Sequence, residues 1–326
     1  MSEPVQLYLL TGGISAAVTA LSLPLWRGWC RWLGLMDEPG GRKDHCAPVP
    51  LAGGWAVATG FTAALALWWI GLRVGWIDRE AAWQMRTSLF SLDARSLALA
   101  LGGLGMLIVG GVDDRYELSA WPKFAAQFLI ASLVAGAGVR VTLFVPNAAF
   151  NFAITVLWIL TVTNAFNFSD NMNGLCAGLA LIAAAWLGIL TMSQRDIVVA
   201  ALAIALTGAT LGFLPFNFPR ATVFLGDAGS HLLGYLLAVL TILPDFHSSQ
   251  NPRRLAVLTP LLLLAVPLID MAWVVILRWR SGEPFYVGDN NHLSHQLRRR
   301  GLSTTTAVTL LWLLAAVIGG LSLWWN

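Results

Sequence analysis

Ten stretches of this chain, at about 5–25, 51–72, 96–112, 120–139, 149–165, 174–192, 196–214, 230–246, 255–277 and 303–325, are each apolar over roughly the length that carries a helix across a bilayer. Backbone in hydrocarbon must satisfy its own N–H and C=O groups, so runs repeated in this way leave few folds open. The expected architecture is all-α: an integral membrane protein, a polytopic bundle of about ten transmembrane helices forming one domain over 1–326. Composition agrees, with 57% hydrophobic and only 11% charged residues against about 25% charged in soluble domains. The first run has Glu3 where a secretory leader carries basic residues, and it reads as a retained helix.

Alternate connections between such helices face the same side. Those after the first, third, fifth, seventh and ninth runs hold "GRKDHCAPVPLAGG", "GVDDRYEL", "NAFNFSDNMNGL", "PFNFPRATVFLGDAGS" and "PFYVGDNNHLSHQLRRRGLS", so the chemically rich segments share one face. The basic residues lean toward that face, which makes it cytoplasmic and puts both termini outside. A net charge of +3 does not signal nucleic acid, because the basic residues are scattered over short loops and form no stripe. Cys30, Cys46 and Cys176 are far apart and odd in number, which suits packing better than a disulfide framework or a metal site.

Two like charges, Asp113 and Asp114, follow directly on an uncharged helix, and carboxylates at a membrane boundary need a stabilising partner. A divalent cation supplies one, and Mg²⁺ characteristically combines one or two carboxylates with substrate phosphates. Asp227 in "FLGDAGS" has two readings, a cap for the eighth helix or a metal ligand beside backbone that small residues leave open. Asn164, Asn167, Asp170 and Asn171 recur at helical spacing and define one face able to hydrogen-bond a base or sugar. His292 and His295 precede Arg298, Arg299 and Arg300 and suit an anion better than zinc. Asp270 reads as a bundle hydrogen-bonding group or a partner of Arg278, and Pro267 as the source of a bend in the ninth run that opens a groove for a lipid tail. An acidic set (Asp113, Asp114, Asp170, Asp227) and a basic set (Arg42, Lys43, His45, Lys123, His292, His295) thus meet on one membrane face, the arrangement phosphoryl transfer between a lipid phosphate and a soluble phosphorylated partner requires.

The ordered set "RKDH…PVP…GG", "GVDD" followed by "KFAAQ", "NAFNFSDNMNGL", "FLGDAGS", "PLID" and "HLSHQL" resembles the polyprenyl-phosphate N-acetylhexosamine-1-phosphate transferases, over residues 37 to 302 and especially in their undecaprenyl-phosphate N-acetylglucosaminyl-1-phosphate branch. The resemblance implies ten or eleven helices in the bacterial plasma membrane and a cytoplasmic active site that uses Mg²⁺, with Mn²⁺ as an alternative ion. It implies transfer of a sugar-1-phosphate from a UDP-sugar to polyprenyl phosphate with release of UMP, the first membrane step of a cell-envelope glycan pathway. On this basis Asp113, Asp114, Asp170, His292 and His295 are the catalytic candidates, and Asp227 with Asp114 the metal ligands. Arg42, Lys43, His45, Lys123, Asn167 and Asn173 are the substrate-binding candidates. The partners are UDP-sugar, polyprenyl phosphate and the membrane, with a homodimer among the open oligomeric states.

Two positions depart from the family pattern: Asn173 stands where an acid is common, and Ser294 where the middle histidine of the loop is common. An uncharged Ser294 implies one fewer cation toward the donor sugar. Two alternatives remain. A phospho-N-acetylmuramoyl-pentapeptide transferase would carry three consecutive histidines, absent here, and an ion-coupled transporter would place its polar residues at the membrane midplane.

Overall fold

The computed structural model describes residues 3–39, 47–141, 145–244, 246, 254–283 and 291–324. Its helices are α1 (Glu3–Leu33), α2 (Gly53–Val74), α3 (Arg79–Gln84), α4 (Ala94–Tyr116), α5 (Ala120–Gly136), α6 (Ala148–Ser169), α7 (Leu175–Ser193), α8 (Ile197–Asn217), α9 (Gly226–Leu240), α10 (Thr259–Leu263), α11 (Ala265–Ser281), α12 (Leu293–Arg299) and α13 (Thr304–Leu321). The strand pairing among the described residues is one short antiparallel pair, β1 (Met36–Asp37) with β2 (Val49–Pro50).

Each of the ten apolar runs falls on a helix, the ninth on the α10–α11 pair. Length and hydropathy qualify seven of the described helices as membrane spans, and an eighth if the bent α10–α11 pair counts as one. The remaining two, α5 and α9, have 17 and 15 residues and rise only about 26 and 22 Å at 1.5 Å per residue. For α9 the reason is its place. Thirteen of its fifteen residues are buried, so protein rather than lipid surrounds it, and it need not match the bilayer. It begins at Gly226, four residues before the sequence reading placed it, which brings Asp227 into its first turn.

α9 packs against α4, α6 and α2, while α1, α2, α7 and α8 form the adjoining layer. The close approach of α4 rests on Gly110, where an added Cβ would lie 2.2 Å from the carbonyl oxygen of Asp227 and 2.5 Å from the amide nitrogen of Ala228. α10 and α11 meet at 74°. Pro267 accounts for the break, because its ring has no N–H to offer the carbonyl of Leu263 and collides with it in a continuous helix. Starting a new helix at Ala265 puts Pro267 in a first turn, where no such bond is needed.

Gly110→Ala should therefore force backbone apart at the α4–α9 crossing and cost about 1–3 kcal/mol, the scale of overpacking. Gly13→Ala, in α1 with nothing within 4 Å of its added Cβ, is the matched control. Thermal unfolding in detergent should show a lower midpoint for the first and no loss for the second.

Candidate active site

One end of the bundle encloses a cavity of about 790 Å³. Its walls draw on all five connections that the alternation argument placed together: Asp37 and Leu51 from the first, Asp113 and Asp114 from the second, Asp170 and Asn173 from the third, Asn217 and Asp227 from the fourth, His295 and Arg298 from the fifth. The polar groups sit at helix ends rather than at mid-span, which removes the main support for a transporter.

α4 ends in a left-handed residue, Glu117 at φ 47°, whose N–H returns to the carbonyl of Asp113. The turn also aims the Leu118 N–H at Asp113 Oδ1, 2.8 Å away. Asp113 Oδ2 is thereby left to the ammonium of Lys123, at 2.5 Å. Lysine in the first turn of a helix opposes the helix dipole. Its position in α5 is compensated by two carboxylates, since Lys123 Nζ also lies 3.1 Å from Asp227 Oδ2.

Asp114 resolves the two readings of Asp227. Its Oδ1 accepts from the Asp227 N–H at 2.7 Å and its Oδ2 from the Ala228 N–H at 3.1 Å. The α9 N-terminus is thus capped from a neighbouring helix, and the Asp227 side chain points elsewhere. Gly226 makes this possible: it adopts φ +75°, and a Cβ there would come within 2.7 Å of Asp114 Oδ2. Asp227 Oδ1 instead accepts from Asn167 Nδ2 at 2.6 Å, and Asn167 in turn reaches Ser230 Oγ at 3.0 Å and receives Lys123 Nζ at 3.3 Å.

The expected amide face toward a base or sugar is not what α6 builds. The helix stops at Ser169, Asn167 turns to Asp227, and Asn164 Nδ2 donates to Gln127 Oε1 at 2.8 Å. Behind it Gln127 Nε2 meets His231 Nε2 at 3.1 Å in the buried interior. Sequence reasoning gave neither residue a role, though Gln127 lies one helical turn after Lys123. Asp170 and Asn173 do line the cavity. At Asp170 burial first, and the negative charges of Asp227 and Asp114 second, hold the carboxyl well above the ordinary carboxylate range.

The histidine loop divides. His295 lines the cavity, its basicity lowered by burial and then by the positive charges of His292, Arg298 and Arg299. His292 does not line the cavity: it is 6% exposed and its Nδ1 pairs with Asp270 Oδ2 at 2.7 Å, so the expected direct contact with phosphate is corrected to an internal one. Asp270 is accordingly a bundle hydrogen-bonding group. Ser294 is 1% exposed and donates to Asn171 Oδ1 at 2.7 Å, so it meets the cavity only through Asn171, which lines it. Arg42, Lys43 and His45 lie outside the described residues.

The carboxylates Asp113, Asp114 and Asp227 are hard oxygen donors, and the Lys123 ammonium between two of them marks a position where positive charge is stable. Among the described residues no group of three or more His, Cys, Asp or Glu side chains is arranged to hold an ion unaided. Hard carboxylate oxygens are the donors Mg²⁺ takes where water and substrate phosphates complete its shell.

These features define a polytopic membrane protein with a charged cavity at one face of the bilayer. The chain matches glycosyl transferase family 4 over residues 96–245. It is 30% identical over 341 residues to the decaprenyl-phosphate N-acetylglucosaminephosphotransferase of Mycobacterium tuberculosis (strain ATCC 25618 / H37Rv), covering 97% of this chain and 81% of the relative. It is 29% identical over 293 residues to the probable undecaprenyl-phosphate N-acetylglucosaminyl 1-phosphate transferase of Bacillus subtilis (strain 168), covering 87% and 75%. A third relative, the undecaprenyl-phosphate alpha-N-acetylglucosaminyl 1-phosphate transferase of Yersinia pestis, is 28% identical over 299 residues, covering 88% and 75%. This chain belongs to glycosyl transferase family 4 and is a phosphotransferase.

The two acids should separate on substitution. Asp114→Ala strands two amides of α9 and should cost about 1–3 kcal/mol in thermal unfolding. Asp227→Asn leaves that cap intact and should unfold close to the parent temperature, yet lose activity by about 100-fold or more, the scale of deleting one charge-organising group.

Proposed function

We propose that the protein transfers N-acetylglucosamine-1-phosphate from its UDP-sugar to a polyprenyl phosphate, giving the polyprenyl-diphosphate sugar and UMP. The observation that carries the reading is the Asp113–Lys123–Asp227–Asn167 cluster, whose Asp113 and Asp227 line the cavity at one end of the bundle. A lipid phosphate reaching this point from the bilayer meets a soluble diphosphate entering from water. The cavity faces the cytoplasm of a bacterial plasma membrane, with both termini outside.

The lipid phosphate oxygen attacks the β-phosphorus in line, and the bond to the UMP oxygen breaks. A phosphate monoester is largely dianionic near neutral pH, so little proton removal is needed and charge stabilisation dominates. Lys123 offsets charge on the phosphates, and Asn167 and Ser230 hold Asp227 in orientation. His295 and Arg298, which also line the cavity, bring nitrogen donors to it. Asp227 and Asp114 would hold Mg²⁺, which would supply charge neutralisation to the diphosphate. Hydrogen bonds and ion pairs hold Asp113, Asp114 and Asp227 in fixed orientation, which suits them to organise charge in a direct transfer.

Purified protein with undecaprenyl phosphate, Mg²⁺ and a panel of UDP-sugars should release UMP with UDP-N-acetylglucosamine or a close UDP-N-acetylhexosamine, and chelation should abolish release. Release with the muramoyl-pentapeptide donor and with no UDP-N-acetylhexosamine would refute the sugar assignment.

A further inference from the structure

Asp270 stands in α11, outside the acidic cluster, and is 5% exposed. Both of its oxygens are spent on one short element. Oδ2 meets His292 Nδ1 at 2.7 Å, and Oδ1 accepts the Leu293 N–H at 2.6 Å. Leu293 is the first residue of α12, and His292, its N-cap, makes no side-chain cap bond of its own. Isolated helices this short are marginal in water, so the seven residues of α12 require anchoring from outside. A buried carboxylate taking two donors from the start of a helix supplies it. The Ser294–Asn171 bond at 2.7 Å adds a second tie, to the loop after α6.

The residues so held are not the ones that face substrate. His295 and Arg298 follow His292 by three and six positions, one helix face apart by a turn each, and both line the cavity. We propose that Asp270 is a positioning residue: through His292 and the first amide of α12 it fixes where His295 and Arg298 stand against the donor substrate. The proposal rests on the reading of the cavity as a nucleotide-sugar site. In that setting Asp270 touches no substrate and acts on donor binding through the placement of two cationic or hydrogen-bonding side chains.

The test compares Asp270→Ala with Asp270→Asn, alone and combined with His295→Ala. Asparagine keeps an oxygen for the Leu293 N–H, whereas alanine keeps neither bond. Amide hydrogen exchange in 291–300 should accelerate about tenfold or more in Asp270→Ala and stay near the parent rate in Asp270→Asn. The apparent KM for the UDP-sugar should rise about tenfold in Asp270→Ala with a smaller fall in kcat, and Asp270→Ala should add little to KM once His295 is already alanine. Thermal destabilisation should be the same in both backgrounds, which a merely structural role would share, so the KM non-additivity is the discriminating result. Unchanged exchange in 291–300, or KM effects that multiply independently, would overturn the proposal. If Asp270→Ala does not fold, His292→Leu, which removes one of the two bonds, should shift exchange and KM in the same direction. Should the parent protein use no UDP-sugar at all, the functional reading fails while the exchange comparison still decides the clamp.

Discussion

The Asp114 carboxylate, placed on the first two amides of α9, is the contact on which the rest of the site depends. It replaces the capping side chain that α9 lacks at Leu225, and it does so from a different helix, so that α4 and α9 cannot slide without losing both bonds. Gly110 lets the two backbones meet, and Gly226 lets the carboxylate in. With the cap taken, Asp227 is released to face Lys123 and Asn167. Asp270 repeats the device on α12. In each case an aspartate on one helix accepts from the start of another, two amides for Asp114 and one amide with the His292 ring for Asp270, and thereby aims a third residue, Asp227 or His295, at the cavity.

This arrangement bears on mechanism. Three acids in a region partly removed from water repel one another, and the structure answers by engaging each: Asp113 with Lys123 and the Leu118 amide, Asp114 with α9, Asp227 with Lys123 and Asn167. In the proposed reaction these fixed carboxylates organise charge around the phosphates.

Much of this was legible in the sequence. Ten apolar runs defined the helices, and the alternation of connections grouped the residues that do line one cavity. Asp113, Asp114, Lys123 and Asp227 stood out because charge beside hydrocarbon is costly. What remained hidden was partnership. Asp227 stays open in sequence between a cap and a metal ligand, and nothing local reveals that Asp114, more than a hundred residues away, already fills the cap's place. His292 reads as a phosphate contact because it pairs with His295 at helical spacing, and Ser294 as a cation lost toward the donor, but a short helix turns both inward, onto Asp270 and Asn171. The short α9 was likewise misplaced by a few residues, since hydropathy measures apolarity and not whether lipid or protein does the burying.

The stereochemical course at phosphorus tests direct transfer most plainly. A UDP-sugar made chiral at its β-phosphorus by isotopic or sulfur substitution should yield polyprenyl-diphosphate sugar with inverted configuration, the mark of a single in-line displacement. Retention of configuration would show two successive displacements through the enzyme and contradict the account.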